Sequence, residues 1–149
     1  MINPSSNHAH SVTGLLDVPA ETAFAFMADP IALGQWSLGC MNTRPVDQTK
    51  IHSGHSLFDG VQGFFEIDTD SDRLIVDYRL GSPDHMVPRV SARIVPAQVC
   101  GLGKDQCYLT LTAWRAADMD GARWHRLCAA HEAEIYLIKA QCEATYSRA

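Results

Sequence analysis

The sequence predicts a single α+β domain in which a curved antiparallel sheet of six or seven strands wraps a long C-terminal helix, with two short helices after the first strand. Three observations carry this. From near Asp118 the apolar residues recur with helical period: Trp124, Leu127, Cys128, His131, Ile135, Ile138 and Cys142 fall within about 100° of arc at 100° per residue, opposite Arg126, Ala129, Glu132, Lys139 and Glu143. The roughly 75 residues before it alternate with period two between turn-forming clusters, the mark of antiparallel strands with one wet face. Directly after the first strand the period changes to that of short helices. A helix so one-sided cannot stand alone in water, so its stripe is expected to lie on the sheet.

Each element follows from local chemistry. Residues 1–9 are polar and are expected to form a flexible tail, leaving 10–149 as one domain. From His10 to Val18, Val12, Gly14, Leu16 and Val18 alternate with Ser11, Thr13, Leu15 and Asp17, which predicts a strand. Pro19-Ala20-Glu21 opens a short helix with proline and an acid at its start, and Ala23, Phe24, Phe26 and Met27 supply its buried side. Asp29-Pro30 restarts the chain as a second helix, Asp29 as N-cap and Pro30 in the first turn, with Ile31, Leu33 and Trp36 following. Turns are then expected at Asp59-Gly60, Thr69–Asp72, Gly81–Asp84 and Gly101–Asp105. The clearest strands between them are Val61–Asp68, Arg73–Leu80 with Leu74, Val76, Tyr78 and Leu80 on one face, Val87–Val95, and Gln106–Arg115.

At 149 residues one core is expected, and 46% hydrophobic with 19% charged residues is an ordinary globular balance. No apolar run approaches the ~18 residues needed to cross a bilayer, which argues against membrane insertion. The opening Met1–Asn7 has neither the basic nor the apolar region of a secretory signal, so a cytoplasmic address is expected. Five cysteines without C-x-x-C spacing fit reduced thiols. A net charge of −5 with no Lys/Arg run argues against nucleic acid. No motif calls for a cofactor, and nothing in the pattern specifies an oligomeric state.

The order strand, two short helices, antiparallel strands, long helix, together with Val18-Pro19-Ala20-Glu21-Thr22-Ala23-Phe24, Asp29-Pro30, Trp36 and the closing Leu109–Arg115, resembles the helix-grip fold of the START-like (Bet v 1-like) superfamily. Within it the chain is most similar to bacterial polyketide cyclase/dehydrase and lipid-transport-like proteins. The resemblance spans about residues 10 to 146. It implies an apolar cavity between sheet and helix, and members bind sterols, lipids, polyketides or plant metabolites, act as enzymes, or activate chaperones. The superfamily has no universal catalytic signature, so fold analogy warrants the cavity alone.

His131 is the sharpest candidate for chemistry, because a titratable imidazole on the buried stripe faces the sheet, where a general base or ligand-anchoring donor would sit. Its ordinary role is that of a core histidine with a structural hydrogen-bond partner. Cys128 lies three residues back on the same face, but no oxyanion feature or orienting acid marks a Cys-His nucleophile. Tyr78 can present its hydroxyl to a cavity or place its ring at the edge. If Asp59-Gly60 closes a two-residue hairpin, Phe58 opposes Val61, and His52, Ser56 and Phe58 share a face with Val61, Gly63, Phe65 and Ile67. Trp36, Phe58, Phe65, Trp114 and Trp124 are candidate cavity wall or solid core, with Ile135 beside His131, and Trp36 and His85-Met86 are candidate gates. A metal site is disfavoured although there are seven histidines: His52 and His55 point to opposite faces of a strand, and His125 lies about 120° from His131 on the helix.

Three functions fit this reading. In the first, the domain binds a small hydrophobic or aromatic molecule, oriented by His131 and Tyr78. In the second, it is a polyketide cyclase/dehydratase-like enzyme in which His131 is the acid/base and Tyr78 polarises a carbonyl, without metal. In the third, it is a protein-interaction module of the chaperone-activator kind, with a collapsed cavity and an exposed apolar patch.

Overall fold

The computed structural model describes residues 8–148. Residues 1–7 of the expected tail lie outside the described residues, and Ala9 already opens the first strand. In chain order the elements are β1 (Ala9–Leu16), α1 (Ala20–Ala28), α2 (Pro30–Trp36), β2 (Met41–Pro45), β3 (His52–His55), β4 (Gln62–Asp70), β5 (Ile75–Ser82), β6 (His85–Pro96), β7 (Cys107–Trp114) and α3 (Gly121–Arg148). The seven strands form one sheet in the order β1-β7-β6-β5-β4-β3-β2, every pair antiparallel. The expected α+β helix-grip architecture is therefore present.

The helix starts are chemically explicit. Asp29 Oδ1 accepts the Ile31 N–H at 2.9 Å with Pro30 next to it, so the expected cap and proline begin α2. α3 begins a few residues later than Asp118: Asp120 Oδ1 accepts the Arg123 N–H at 2.8 Å, and its carbonyl accepts from Trp124. Leu16, Met27, Val76, Ile94, Leu109, Leu111 and Ile138 are among the fully buried side chains joining sheet, α1 and α3. Each such aliphatic contributes about 1.5–3 kcal/mol by leaving water. α3 lies closely over β1 because Gly14 has no side chain: a Cβ there would stand 3.0 Å from Ile135 Cγ1.

Two strand details differ from the sequence reading. The β3–β4 connection is not a two-residue hairpin but a six-residue loop, 56–61, closed by Ser56 N–H to Val61 O at 3.0 Å. Ser56 Oγ accepts from Phe58 N–H and Asp59 Oδ1 from Val61 N–H, so these two side chains replace the ladder with local turns. His52 consequently opposes Phe65 instead of Ile67. A two-residue slip keeps the face, so His52 still shares Phe65's side of the sheet. Leu74 has φ of 55° and belongs to the turn before β5, not to the strand.

β6 carries an irregularity that alternation does not reveal. Tyr78 pairs with Val90 while Arg79 pairs with Pro88, so Arg89 is the extra residue of a β-bulge.

Candidate functional site

α3 packs against β1, β7 and the two short helices, and between it and β4–β6 the structure leaves a cavity of about 470 Å³. Leu33 and Trp36 of α2, Phe65 of β4, Leu80 of β5, Val90 of β6 and Leu127 of α3 make its wall mainly apolar. The loop 56–61 forms its rim through Ser56, Phe58, Asp59 and Val61. Arg126 of α3 holds that rim, 3.4 Å from Asp59 Oδ2 and 4.9 Å above the Phe58 ring centre.

Polar groups inside are few. His131 is 6% exposed and Glu134 2%, and both line the cavity, with His131 Nε2 3.9 Å from Glu134 Oε1. Burial favours the uncharged form of each. The imidazole is pulled down to about 4, burial first and then the charges of His10 and Arg89. The Glu134 carboxyl is pushed up to about 7 by burial, against the Leu38 N–H that donates to Oε2 at 3.1 Å. At mildly acidic pH the pair is thus a neutral imidazole beside a protonated carboxyl, and near pH 7 that carboxyl is about half ionised. The Leu38 carbonyl in turn accepts the Leu57 N–H at 2.8 Å, linking Glu134 to the rim loop.

Two buried polar atoms on this wall have no partner among the described residues: His131 Nδ1 and Trp36 Nε1. Leaving a buried polar group unpaired costs about 1–3 kcal/mol. The wall therefore offers an imidazole nitrogen, an indole N–H and a protonatable carboxyl on an apolar background. This set can fix the orientation of a ligand bearing one or two oxygens, or hold a proton for transfer.

Of the residues singled out from sequence, Trp36, Ser56, Phe58, Phe65, Tyr78 and His131 line the cavity. His52, Trp124, Cys128 and Ile135 do not. His52 stacks on Phe65 at 5.6 Å, at the far side of that ring. Trp124 packs with Ala113 and Met119 in a separate cluster at the start of α3. Ile135 faces β1 at Gly14, and Cys128 packs with that same end cluster, its thiol raised by burial, which leaves no activated Cys-His pair. Trp114 ends β7, is 43% exposed and is not part of the cavity wall. Trp36 is buried wall, not a surface gate, and His85-Met86 open β6, with Met86 paired to Gly81 of the cavity lining.

Tyr78 reaches the cavity with its ring only. Its hydroxyl donates to the Met27 carbonyl at 2.6 Å, and burial pushes it well above the ordinary phenol range. The ring meets Trp36 edge-on at 6.2 Å. Its single proton is committed to α1, so polarising a ligand carbonyl would require breaking that bond.

The residues that sequence reasoning missed are Glu134 and Arg89. Glu134 lies three positions after His131 and seven after Leu127, about 20° beyond the stripe's edge. That spacing was the available signal. Arg89 is aimed inward by the bulge and has no sequence signal. Among the described residues no three His, Cys, Asp or Glu side chains converge as a metal cluster would require.

No protein-family model and no curated protein matches the sequence. Solved structures do match in three dimensions. A START superfamily protein from Mycobacterium smegmatis superposes with a TM-score of 0.68 at 17% identity, over 93% of this chain and 99% of that one. The Zhui aromatase/cyclase from Streptomyces sp. R1128 gives 0.60 at 16% identity, over 92% and 96%. The di-domain aromatase/cyclase StfQ of the steffimycin biosynthetic pathway gives 0.64 at 13%, covering 93% of this chain but 46% of that longer one. At these identities the likeness establishes architecture. The chain has the START-like helix-grip fold, shared with structures of aromatase/cyclases.

Proposed function

We propose that this protein binds a small, largely apolar molecule in the cavity between its sheet and α3. The observation that carries the reading is the combination on one wall: a mainly apolar surface that carries two buried polar atoms without a partner among the described residues, His131 Nδ1 and Trp36 Nε1. Preformed concave sites of this size with few directed polar groups are the usual form of a small-molecule site. The START superfamily and aromatase/cyclase structures that share the fold support it. The third sequence reading needs a collapsed interior, and the hollow beside His131 favours the first two.

Titration with the neutral fluorophore N-phenyl-1-naphthylamine tests the proposal. The protein should saturate with it, and Ala130→Trp, which fills the cavity from its α3 wall, should abolish uptake while the circular dichroism spectrum is kept. Uptake unchanged in Ala130→Trp would place binding elsewhere. Native mass spectrometry of protein from its own host would then identify the resident molecule.

A second reading is favoured by one specific feature. A buried carboxyl poised at about 7 is matched to proton transfer near neutral pH, better than an imidazole held at about 4. In a cyclase/dehydratase-type enzyme Glu134 would therefore be the acid/base, with His131 positioning the substrate. For a carrier His131→Gln weakens binding modestly. For an enzyme using Glu134 as acid/base, Glu134→Gln lowers turnover by roughly 100-fold or more.

A further inference from the structure

Three arginines border the cavity at the end nearest the start of α3: Arg89, Arg123 and Arg126. Their situations differ. Arg126 is matched by Asp59 and rests on Phe58. Neither Arg89 nor Arg123 has an ion-pair partner among the described residues. In a chain of net charge −5 this is a local excess of positive charge beside an apolar hollow.

Arg89 is there by construction. Val90 faces the cavity, and plain alternation would turn residue 89 to the outer surface. The bulge between the Tyr78–Val90 and Arg79–Pro88 pairs breaks that alternation, and Arg89 joins Val90 on the cavity wall. Its Nε donates to the Trp114 carbonyl at 3.0 Å, and one terminal nitrogen lies 4.0 Å from Met119 Sδ. The guanidinium is thereby fixed, with donors left over, since five N–H groups face one carbonyl and one weak sulfur acceptor. It is also an unfavourable position for a lone cation. Burial, reinforced by the neighbouring charge of Arg123, draws Arg89 below its ordinary value, and Asp118 opposes this without reaching ion-pair distance. A fold that positions a half-buried guanidinium next to another like charge gains if an anion arrives between them.

We infer that the ligand is an amphipathic acid whose oxyanion is held by Arg89 and Arg123 while its apolar body fills the hollow between Phe65, Leu80 and α3. This rests on the cavity reading above and adds the chemical class of the guest. A carboxylate or a phosphate monoester presents the required oxygens, and a planar carboxylate matches a single guanidinium fork best.

Competition against N-phenyl-1-naphthylamine separates the possibilities, using decanoate, decanol and decyl phosphate as three head groups on one chain at about pH 7. Decanoate or decyl phosphate should displace the fluorophore at least about tenfold more tightly than decanol, the scale of a charge-assisted hydrogen bond. Whichever of the two leads identifies the head group. Arg89→Met and, separately, Arg123→Met should each reduce the acid-over-alcohol preference to about threefold or less. Arg123 is an exposed helix residue whose replacement leaves the bulge intact, so it keeps the test valid if Arg89→Met fails to fold. Equal displacement by acid and alcohol, or a preference surviving both substitutions, overturns the inference while leaving the cavity reading standing. No uptake of the fluorophore by the wild-type protein overturns both.

Discussion

Replacing Glu134 by Gln should change stability in a way that only a buried, protonated carboxyl produces. Oε2 accepts the Leu38 N–H, and the Gln carbonyl oxygen can do the same, so packing and that hydrogen bond are retained while the charge is removed. In the unfolded chain Glu134 loses its proton around the ordinary glutamate value of 4.5; in the fold it keeps it to about 7. Between those values the folded state binds more protons than the unfolded state, so this group's contribution is fully present below 4.5 and is lost as pH rises through 7. The difference of about 2.5 pH units corresponds to roughly 3 kcal/mol. Glu134→Gln should therefore match the wild type below about pH 4 and exceed it by up to about 3 kcal/mol near pH 9. With a urea m-value of about 1.5 kcal/mol/M, the midpoints should separate by about 2 M at the alkaline end. Urea denaturation of both proteins across this range measures the difference directly, because every other titrating group is common to the two. A midpoint difference that stays constant with pH would show that Glu134 is ionised in the fold at neutral pH, and the acid/base assignment would fall with it.

Other outcomes are equally specific. His131, held at about 4 by burial, is neutral through the physiological range; its contribution to stability is lost as pH falls from 6.5 through 4, and its ring protons in NMR should not titrate above about pH 5. Tyr78→Phe leaves the Met27 carbonyl buried without a donor and should cost about 1–2 kcal/mol in chemical denaturation. If Tyr78 is structural, N-phenyl-1-naphthylamine affinity stays within about threefold of wild type. Gly14→Val drives a side chain into Ile135 across the β1–α3 contact and should cost about 1–3 kcal/mol, read as a lowered thermal midpoint. Asp59→Asn releases a half-exposed ion pair, so stability should change by less than about 1 kcal/mol while stopped-flow release of bound fluorophore becomes faster.

The parts of this fold that were legible in the chain are those decided by neighbours in sequence. Asp29-Pro30 begins a helix because its side chain and ring act within three residues, and the stripe Trp124 to Cys142 buries because 3.6-residue periodicity is local geometry. The site was legible only in outline. A stripe says that Trp124, His131 and Ile135 face inward, but whether each meets packed side chains or a hollow depends on where α3 crosses the sheet, and only His131 of these three lines the cavity. Glu134 escaped notice because a carboxylate at the edge of an apolar face ordinarily points to water; here the Leu38 backbone covers it. Arg89 escaped because alternation assumes unbroken pairing, and the bulge that redirects it is a property of two strands. The β3–β4 loop was misjudged because Asp-Gly suggests a tight hairpin, whereas Ser56 and Asp59 bond their own backbone and widen it.

The Leu38 backbone has one hydrogen bond directed to the interior and one to the surface: its N–H meets Glu134, and its carbonyl meets Leu57 in the rim. A guest that draws the carboxyl toward itself takes the acceptor from that N–H, and a shift of the Leu38 backbone moves the carbonyl on the other side of its Cα, which holds the doorway. Occupancy and the doorway's looseness are mechanically joined through a single residue, so molecules that engage Glu134 should leave at different rates from equally greasy ones that do not.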